Sequence, residues 1–155
     1  MKVRLVKGGV TMTIDFGYGV DMSRVKFKSG AARYVFEHYA SDDIRNEFAS
    51  FCADNQDLVE DDTAVEAFVE EYEDPVTYAS GIEGFLVRCI NGAECKDYND
   101  FAYDDYCIYV GARIPADEAQ KNSLLTMEDI RRILAKYLNP VLETEAVVES
   151  LEIRD

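Results

Sequence analysis

The chain has 155 residues, of which 48% are apolar, and this length and composition suit one globular domain and argue against intrinsic disorder. Its 16 basic and 31 acidic residues give a formal charge of −15, which argues against direct binding to nucleic acid or to an anionic membrane surface. No apolar run has the length of a transmembrane helix or the pattern of a signal peptide, so the sequence predicts a cytoplasmic protein.

Hydrophobic periodicity and capping residues predict an alternation of strands and helices along the chain. Strands are predicted over 2–7 and 10–16, followed by a loop or short strand over 24–28. Four helices come next: one over 29–39, one that begins at 41, one over 62–73 and one over 80–91. A strand over 106–114, a helix over 126–138 and a strand over 146–153 complete the order. The stretch around Gly17 and Gly19 is interpreted as a turn.

The segment over 80–91 is open to two interpretations. Ser80 and Glu83 form a capping box, and the apolar residues that follow have helical spacing. An apolar run before Asn91-Gly92 is also typical of a β-hairpin. The helix is the favoured interpretation, with the hairpin as the alternative.

This order of elements predicts an α+β fold in a single domain, 1–155. We expect one mixed β-sheet, built from the N-terminal hairpin and a C-terminal β-α-β unit, with about five helices packed on it. Ile130, Ile133, Leu134 and Tyr137 share one face of the last helix and are expected to bury it against the sheet.

The four cysteines, Cys52, Cys89, Cys95 and Cys107, have spacings that match no zinc motif and are expected to be free thiols. Acidic stretches at 54–57 and 97–100 lack the central glycine and closing glutamate of a calcium loop. The sequence therefore predicts neither a metal site nor a cofactor.

Motifs for catalysis are absent from the sequence: it contains no nucleophile elbow, Walker loop or metalloprotease helix. The single histidine, His38, stands in a helix without a recognisable catalytic neighbour. We therefore predict a non-enzymatic protein, with an enzyme that uses an atypical site near His38 or Cys95 as the least favoured alternative.

Negative charge is concentrated over 41–80, which holds 13 acidic residues and one basic residue, Arg45. These acids predict a partner-binding acidic face made of Asp43, Glu47, Asp54, Asp61, Asp62, Glu66, Glu70, Glu71 and Asp74. Four of them, Asp62, Glu66, Glu70 and Asp74, recur every fourth residue and are expected to form an exposed row of carboxylates about 6 Å apart. No basic residue between Arg45 and Arg88 neutralises this row.

A second predicted contact surface interleaves aspartates and tyrosines before the strand at 106–114. Tyrosine is enriched at interface hot spots, and aspartate supplies charge complementarity. The residues assigned to it are Asp97, Tyr98, Asp100, Tyr103, Asp104 and Asp105.

These features favour an acidic binding protein that mimics nucleic acid. It is expected to inhibit or regulate a basic protein, either a nucleic-acid-handling protein or a nuclease, by occupying its cationic groove. The analogy, of charge and size alone, is with small acidic anti-restriction and anti-CRISPR proteins. The main alternative is an adaptor or assembly protein whose acidic face serves only solubility.

Overall fold

The structure, a computed structural model, describes residues 3–7, 10–55, 61–75, 77–94, 98–102, 108–114 and 126–154. By its contacts the chain divides into two compact units. A sheet unit comprises Met1–Lys26, Phe101–Pro140 and Thr144–Asp155, and a helical unit comprises Phe27–Asp100 and Val141–Glu143. That both units form one domain stays a prediction.

Five strands and five α-helices are formed by the described residues. They are β1 (Val3–Lys7), β2 (Val10–Asp21), α1 (Ala31–Tyr39), α2 (Asp42–Asp54), α3 (Asp62–Glu70), α4 (Gly81–Glu94), β3 (Asn99–Ala102), β4 (Ile108–Ile114), α5 (Met127–Leu138) and β5 (Val148–Arg154). The predicted α+β class is confirmed.

The sheet is organised around β2. Strands β1 and β2 form the predicted antiparallel hairpin, with Val3 opposite Ile14. Further along, Phe16 of β2 lies opposite Ile114 of β4 and also opposite Glu152 of β5, and both pairings are antiparallel. Strands β4 and β5 therefore run parallel to each other with β2 between them. The two strands and the helix of the predicted β-α-β unit form, but β2 separates the strands. The pairings of known register are all antiparallel, so these pairings do not show the expected mixed sheet.

The interpretation of Gly17 and Gly19 as a turn is wrong, because β2 continues without interruption to Asp21. Gly19 lies opposite Gly111 of β4, where the two backbones approach closely. A Cβ at Gly111 would lie 2.0 Å from the carbonyl oxygen of Tyr18. Glycine in this part of the sheet therefore permits close strand packing, and does not mark a chain reversal.

Helix α5 covers the sheet with the predicted apolar face. Thr126 and Asp129 form a reciprocal capping box that begins the helix. Ile130, Ile133 and Leu134 are buried as predicted, and α5 contacts β2, β4 and β5. This packing supplies the core of the sheet unit.

Helices α1 to α4 pack on one another in the helical unit around a cluster of aromatic rings. The cluster consists of Phe36, Phe48, Phe68, Tyr72 and Phe85, whose neighbouring ring centroids lie 4.9–6.4 Å apart. Residues 81–94 form the favoured helix, which continues past Gly92. Ser41 caps α2, and α1 begins after Gly30, which lies in the left-handed region at φ 78°.

Cys52 and Cys89 are buried free thiols, and burial raises the pKa of Cys89 to about 12. Cys95 and Cys107 lie outside the described residues. None of the helices in the described part of the chain combines the length and the apolar character needed to cross a bilayer.

Candidate functional site

Three acids of the predicted face lie at helix N-termini, where they stabilise the helices. Asp43 is in the first turn of α2, and Asp62 is in the first turn of α3. Asp61 caps α3 by accepting a hydrogen bond of 3.0 Å from the backbone N–H of Ala64. Carboxylates at these positions interact favourably with the helix dipole, so their presence is explained by the fold alone.

Two arginines from other helices neutralise further acids of the face. Arg33 of α1 lies 3.2 Å from Asp62 and 3.3 Å from Glu66, between the two carboxylates. Arg88 of α4 lies 2.6 Å from Glu47. Although no basic residue lies between Arg45 and Arg88, Arg33 therefore neutralises part of the carboxylate row from a helix that is distant in sequence.

The row also ends earlier than predicted, since α3 stops at Glu70 and Asp74 is only 2% exposed. The Asp74 carboxylate accepts hydrogen bonds from the backbone N–H of Thr77 at 3.2 Å and from the Thr77 hydroxyl at 2.5 Å. Pro75 disfavours helical backbone at Asp74, and the local turn satisfies its side chain instead. Asp74 was expected to be exposed, and that expectation is wrong.

Four exposed acids lie in the last turn of α2 or α3 or within three residues after it. Glu70, Glu71 and Glu73 are exposed, and the described residues offer them no ion-pair partner. Asp54, the last residue of α2, is exposed as well. Asp54 and Glu70 are the last residues of α2 and α3, so each carboxylate lies at the negative end of its own helix dipole. The last turns of both helices contain no basic residue that would compensate this charge. These positions destabilise the helices and are not explained by the fold.

The segment after α3 presents an exposed aromatic side chain that the sequence reasoning missed. Tyr78 is 73% exposed and adopts a left-handed φ of 62°. A non-glycine residue in this region is strained by about 1–3 kcal/mol and persists only where its surroundings fix it. Neither feature has a signal in the sequence, where Tyr78 stands between Thr77 and Ala79.

Backbone hydrogen bonds connect the described residues of the segment that follows α3, 71–75 and 77–81, called here the Tyr78 turn. Asp74 donates from its backbone N–H to the Ala79 carbonyl at 2.9 Å, and Tyr78 donates to the Asp74 carbonyl at 2.8 Å. Gly81 closes the turn by donating to the Tyr72 carbonyl at 2.8 Å. Tyr78 therefore projects from a turn whose backbone is held by three hydrogen bonds.

Helix α4 fixes the base of the same turn. A Cβ added at Gly84 would lie 2.1 Å from the Ala79 carbonyl oxygen, so the turn packs directly on the helix backbone at this position. We define the Tyr78 surface as Tyr78 with the exposed carboxylates of Glu70, Glu71 and Glu73. It combines an aromatic anchor with unpaired negative charge on a preorganised support.

Replacing Asp74 with alanine is expected to lower the free energy of unfolding by about 1–3 kcal/mol, because Thr77 loses the acceptor of two hydrogen bonds in a buried position. Chemical denaturation measures this change. Glu73→Ala is the matched control: Glu73 is the exposed neighbour, and its loss should stay within about 0.5 kcal/mol. Equal effects for both variants would contradict the structural role of Asp74.

The predicted Tyr–Asp surface receives little support from its described residues. Tyr98 is 1% exposed, and its backbone N–H and carbonyl are held by the side chain of Asn91, so it cannot serve as an exposed contact. Asp100 belongs to β3. The remaining members, Asp97, Tyr103, Asp104 and Asp105, lie outside the described residues.

His38 is exposed and stacks on Tyr34 at a ring-centroid distance of 3.9 Å. Its Nδ1 lies 3.0 Å from the Tyr34 carbonyl oxygen, which can only accept a hydrogen bond, so Nδ1 is assigned as the donor. The part of the chain that the structure describes contains no cluster of three side chains able to hold a metal ion. Comparison of the chain with protein-family models, with curated proteins and with solved structures gives no match.

Proposed function

We propose that the chain is a non-enzymatic binding protein whose Tyr78 surface docks onto a basic patch of a partner protein. The observation that carries this proposal is the exposed, left-handed Tyr78 on a hydrogen-bonded turn after α3, together with three exposed carboxylates in or next to this turn that form no ion pair with the described residues. Both features lower the stability of the free protein, and a partner that covers them offsets that cost.

The aromatic anchor supplies the short-range part of the interaction. Tyrosine offers a large contact area with few rotatable bonds, and hot spots of protein interfaces are enriched in it. Because the backbone of the Tyr78 turn is already fixed by hydrogen bonds, little conformational entropy is lost there on binding.

The carboxylates supply the long-range part. Exposed charges without ion pairs attract an oppositely charged surface and accelerate association. Such steering weakens as salt rises, because exposed charges are screened over about 8–10 Å. An acidic protein of formal charge −15 will meet basic surfaces more often than neutral ones.

The narrower form of the proposal is that the partner's basic patch is its nucleic-acid-binding groove, so that docking competes with nucleic acid. The net negative charge of the protein supports this form. The row of carboxylates predicted to imitate phosphates does not support it, because Asp74 is buried and Arg33 neutralises Asp62 and Glu66. Mimicry in this protein therefore depends on net charge and on the anchor at Tyr78.

The test compares two variants with the parent protein in affinity capture, followed by binding kinetics with the captured partner. In the first variant Glu70, Glu71 and Glu73 are replaced by glutamine, and in the second Tyr78 is replaced by alanine. We expect the first to reduce the association rate about tenfold or more at low salt, and the second to increase the dissociation rate.

A matched control removes three exposed charges elsewhere by combining Glu37→Gln, Asp42→Asn and Glu128→Gln. It should retain most of the parent's association rate. Equal losses in the control and in the first variant would show that net charge, and not the Tyr78 surface, drives association. An association rate unchanged in both would favour the adaptor alternative. A partner that binds the parent yet keeps its nucleic acid would support docking and reject competition.

A further inference from the structure

A cleft of about 250 Å³ lies at one end of the sheet unit. It is lined by the end of β2 with the loop that follows and by the segment 144–149 that leads into β5. Asp21, Glu145 and Glu149 bring three carboxylates to the lining, and Arg24 brings a guanidinium. The formal charge of the lining is therefore negative even with Arg24 included, and its volume suits a small ligand.

Two of the carboxylates that line the cleft each accept hydrogen bonds through one oxygen, and their second oxygens accept none from the described residues. Asp21, whose side chain is 3% exposed, accepts at Oδ1 from the Ser23 backbone N–H at 3.0 Å and the Ser23 hydroxyl at 2.6 Å. Glu149 accepts at Oε2 from the Tyr109 hydroxyl at 2.7 Å. Oδ2 of Asp21 is buried and accepts no hydrogen bond from any described residue. A buried acceptor without a hydrogen bond lowers the stability of the folded protein, and a donor that binds there would restore it.

Arg24 lies near Oδ2 of Asp21 and Oε1 of Glu149 but forms a short hydrogen bond with neither. Its Nε lies 3.3 Å from Oδ2 of Asp21, and its Nη1 lies 3.6 Å from Oε1 of Glu149. These distances exceed the 2.7–2.9 Å or so of a charge-assisted hydrogen bond, and the Arg24 side chain is 73% exposed. An ion pair this exposed contributes little stability, so Arg24 is a weakly held occupant.

We propose that this cleft binds a small organic cation, an alkylguanidinium or alkylammonium group, which displaces Arg24 from Asp21 and Glu149. The charged head donates to the free carboxylate oxygens. The aliphatic part lies along the valines of the lining, among which Val147 is 69% exposed. The position of Arg24 indicates the chemistry, because a guanidinium already lies at these two carboxylates. The proposal is independent of the Tyr78 surface, which belongs to the helical unit.

The test is a titration of the full chain with methylguanidinium and with butylammonium at low ionic strength, followed by NMR or calorimetry. Arg24→Ala should bind methylguanidinium about fivefold more tightly than the parent, because an internal competitor has been removed. Asp21→Asn should abolish saturable binding. Glu149→Gln, at a side chain that is one-third exposed and thus safer for folding, should weaken binding several-fold.

Arg132→Ala is the matched control, since Arg132 is an exposed arginine of α5 that pairs with Asp129, and it should leave the affinity unchanged. Butanol and acetate should not bind. An arginine-containing tripeptide that binds as tightly as methylguanidinium would identify a peptide side chain as the source, and its exclusion would identify a free small cation. The proposal is overturned if Arg24→Ala gains no affinity over the parent, or if Glu149→Gln binds as the parent does.

Discussion

Replacing Leu134 with alanine is expected to lower the free energy of unfolding by about 2–5 kcal/mol. Leu134 is fully buried on α5, and its neighbours on the same face, Ile130 and Leu138, are fully buried as well. The helix contacts three strands of the sheet, so the surroundings cannot collapse freely into the cavity that the substitution leaves. The midpoint of chemical denaturation should fall accordingly.

Arg131→Ala provides the control for this experiment, because Arg131 is an exposed neighbour on the same helix. Its effect should stay within about 0.5 kcal/mol. An unchanged midpoint for Leu134→Ala would show that α5 does not form the core of the sheet unit.

Replacing Gly84 with alanine is expected to cost about 3 kcal/mol, at the upper end of the range for overpacked sites. The added Cβ would lie 2.1 Å from the Ala79 carbonyl oxygen and 2.4 Å from its carbon, and backbone atoms cannot rotate away as a side chain can. Either α4 or the Tyr78 turn must move. Denaturation measures the loss of stability.

Gly92→Ala is the matched control in the same helix, since a Cβ at Gly92 would lie within 4 Å of no described atom beyond the adjoining backbone. Alanine there should stabilise the protein by about 0.4–1 kcal/mol. If the Tyr78 turn is the docking element, Gly84→Ala should also weaken partner binding, whereas Gly92→Ala should not. A Gly84→Ala protein as stable as the parent would contradict the close packing of this turn on α4.

Local signals were sufficient to predict α5, because Thr126, Asp129 and the apolar face coincide and no other conformation competes. They failed after α3, where the acidic period of four residues continues in sequence while Asp74 and Pro75 favour a turn. They also failed at Gly17 and Gly19, since only the approach of β4 explains glycine in the middle of a strand.

The residues of the acidic face could be predicted from the sequence, but not which of their carboxylates are neutralised by ion pairs. Whether a carboxylate is free depends on residues brought to it by folding, as Arg33 is brought to Glu66. Such partners cannot be identified from the sequence, because they lie far from the carboxylate along the chain. The strain at Tyr78 is likewise a property of the closed turn and leaves no residue pattern.

The position of β2 between β4 and β5 has a consequence for the order in which the chain acquires its structure. The ladder between β2 and β5 joins Ile14 to Arg154, a separation of 140 residues. Contacts this distant in sequence form slowly, because a long loop must close before they contribute. The helical unit, formed almost wholly by Phe27–Asp100, depends on nearer contacts. During synthesis we therefore expect the helices to assemble before β5 pairs with β2. Until that pairing forms, one edge of β2 is exposed and can pair with other chains.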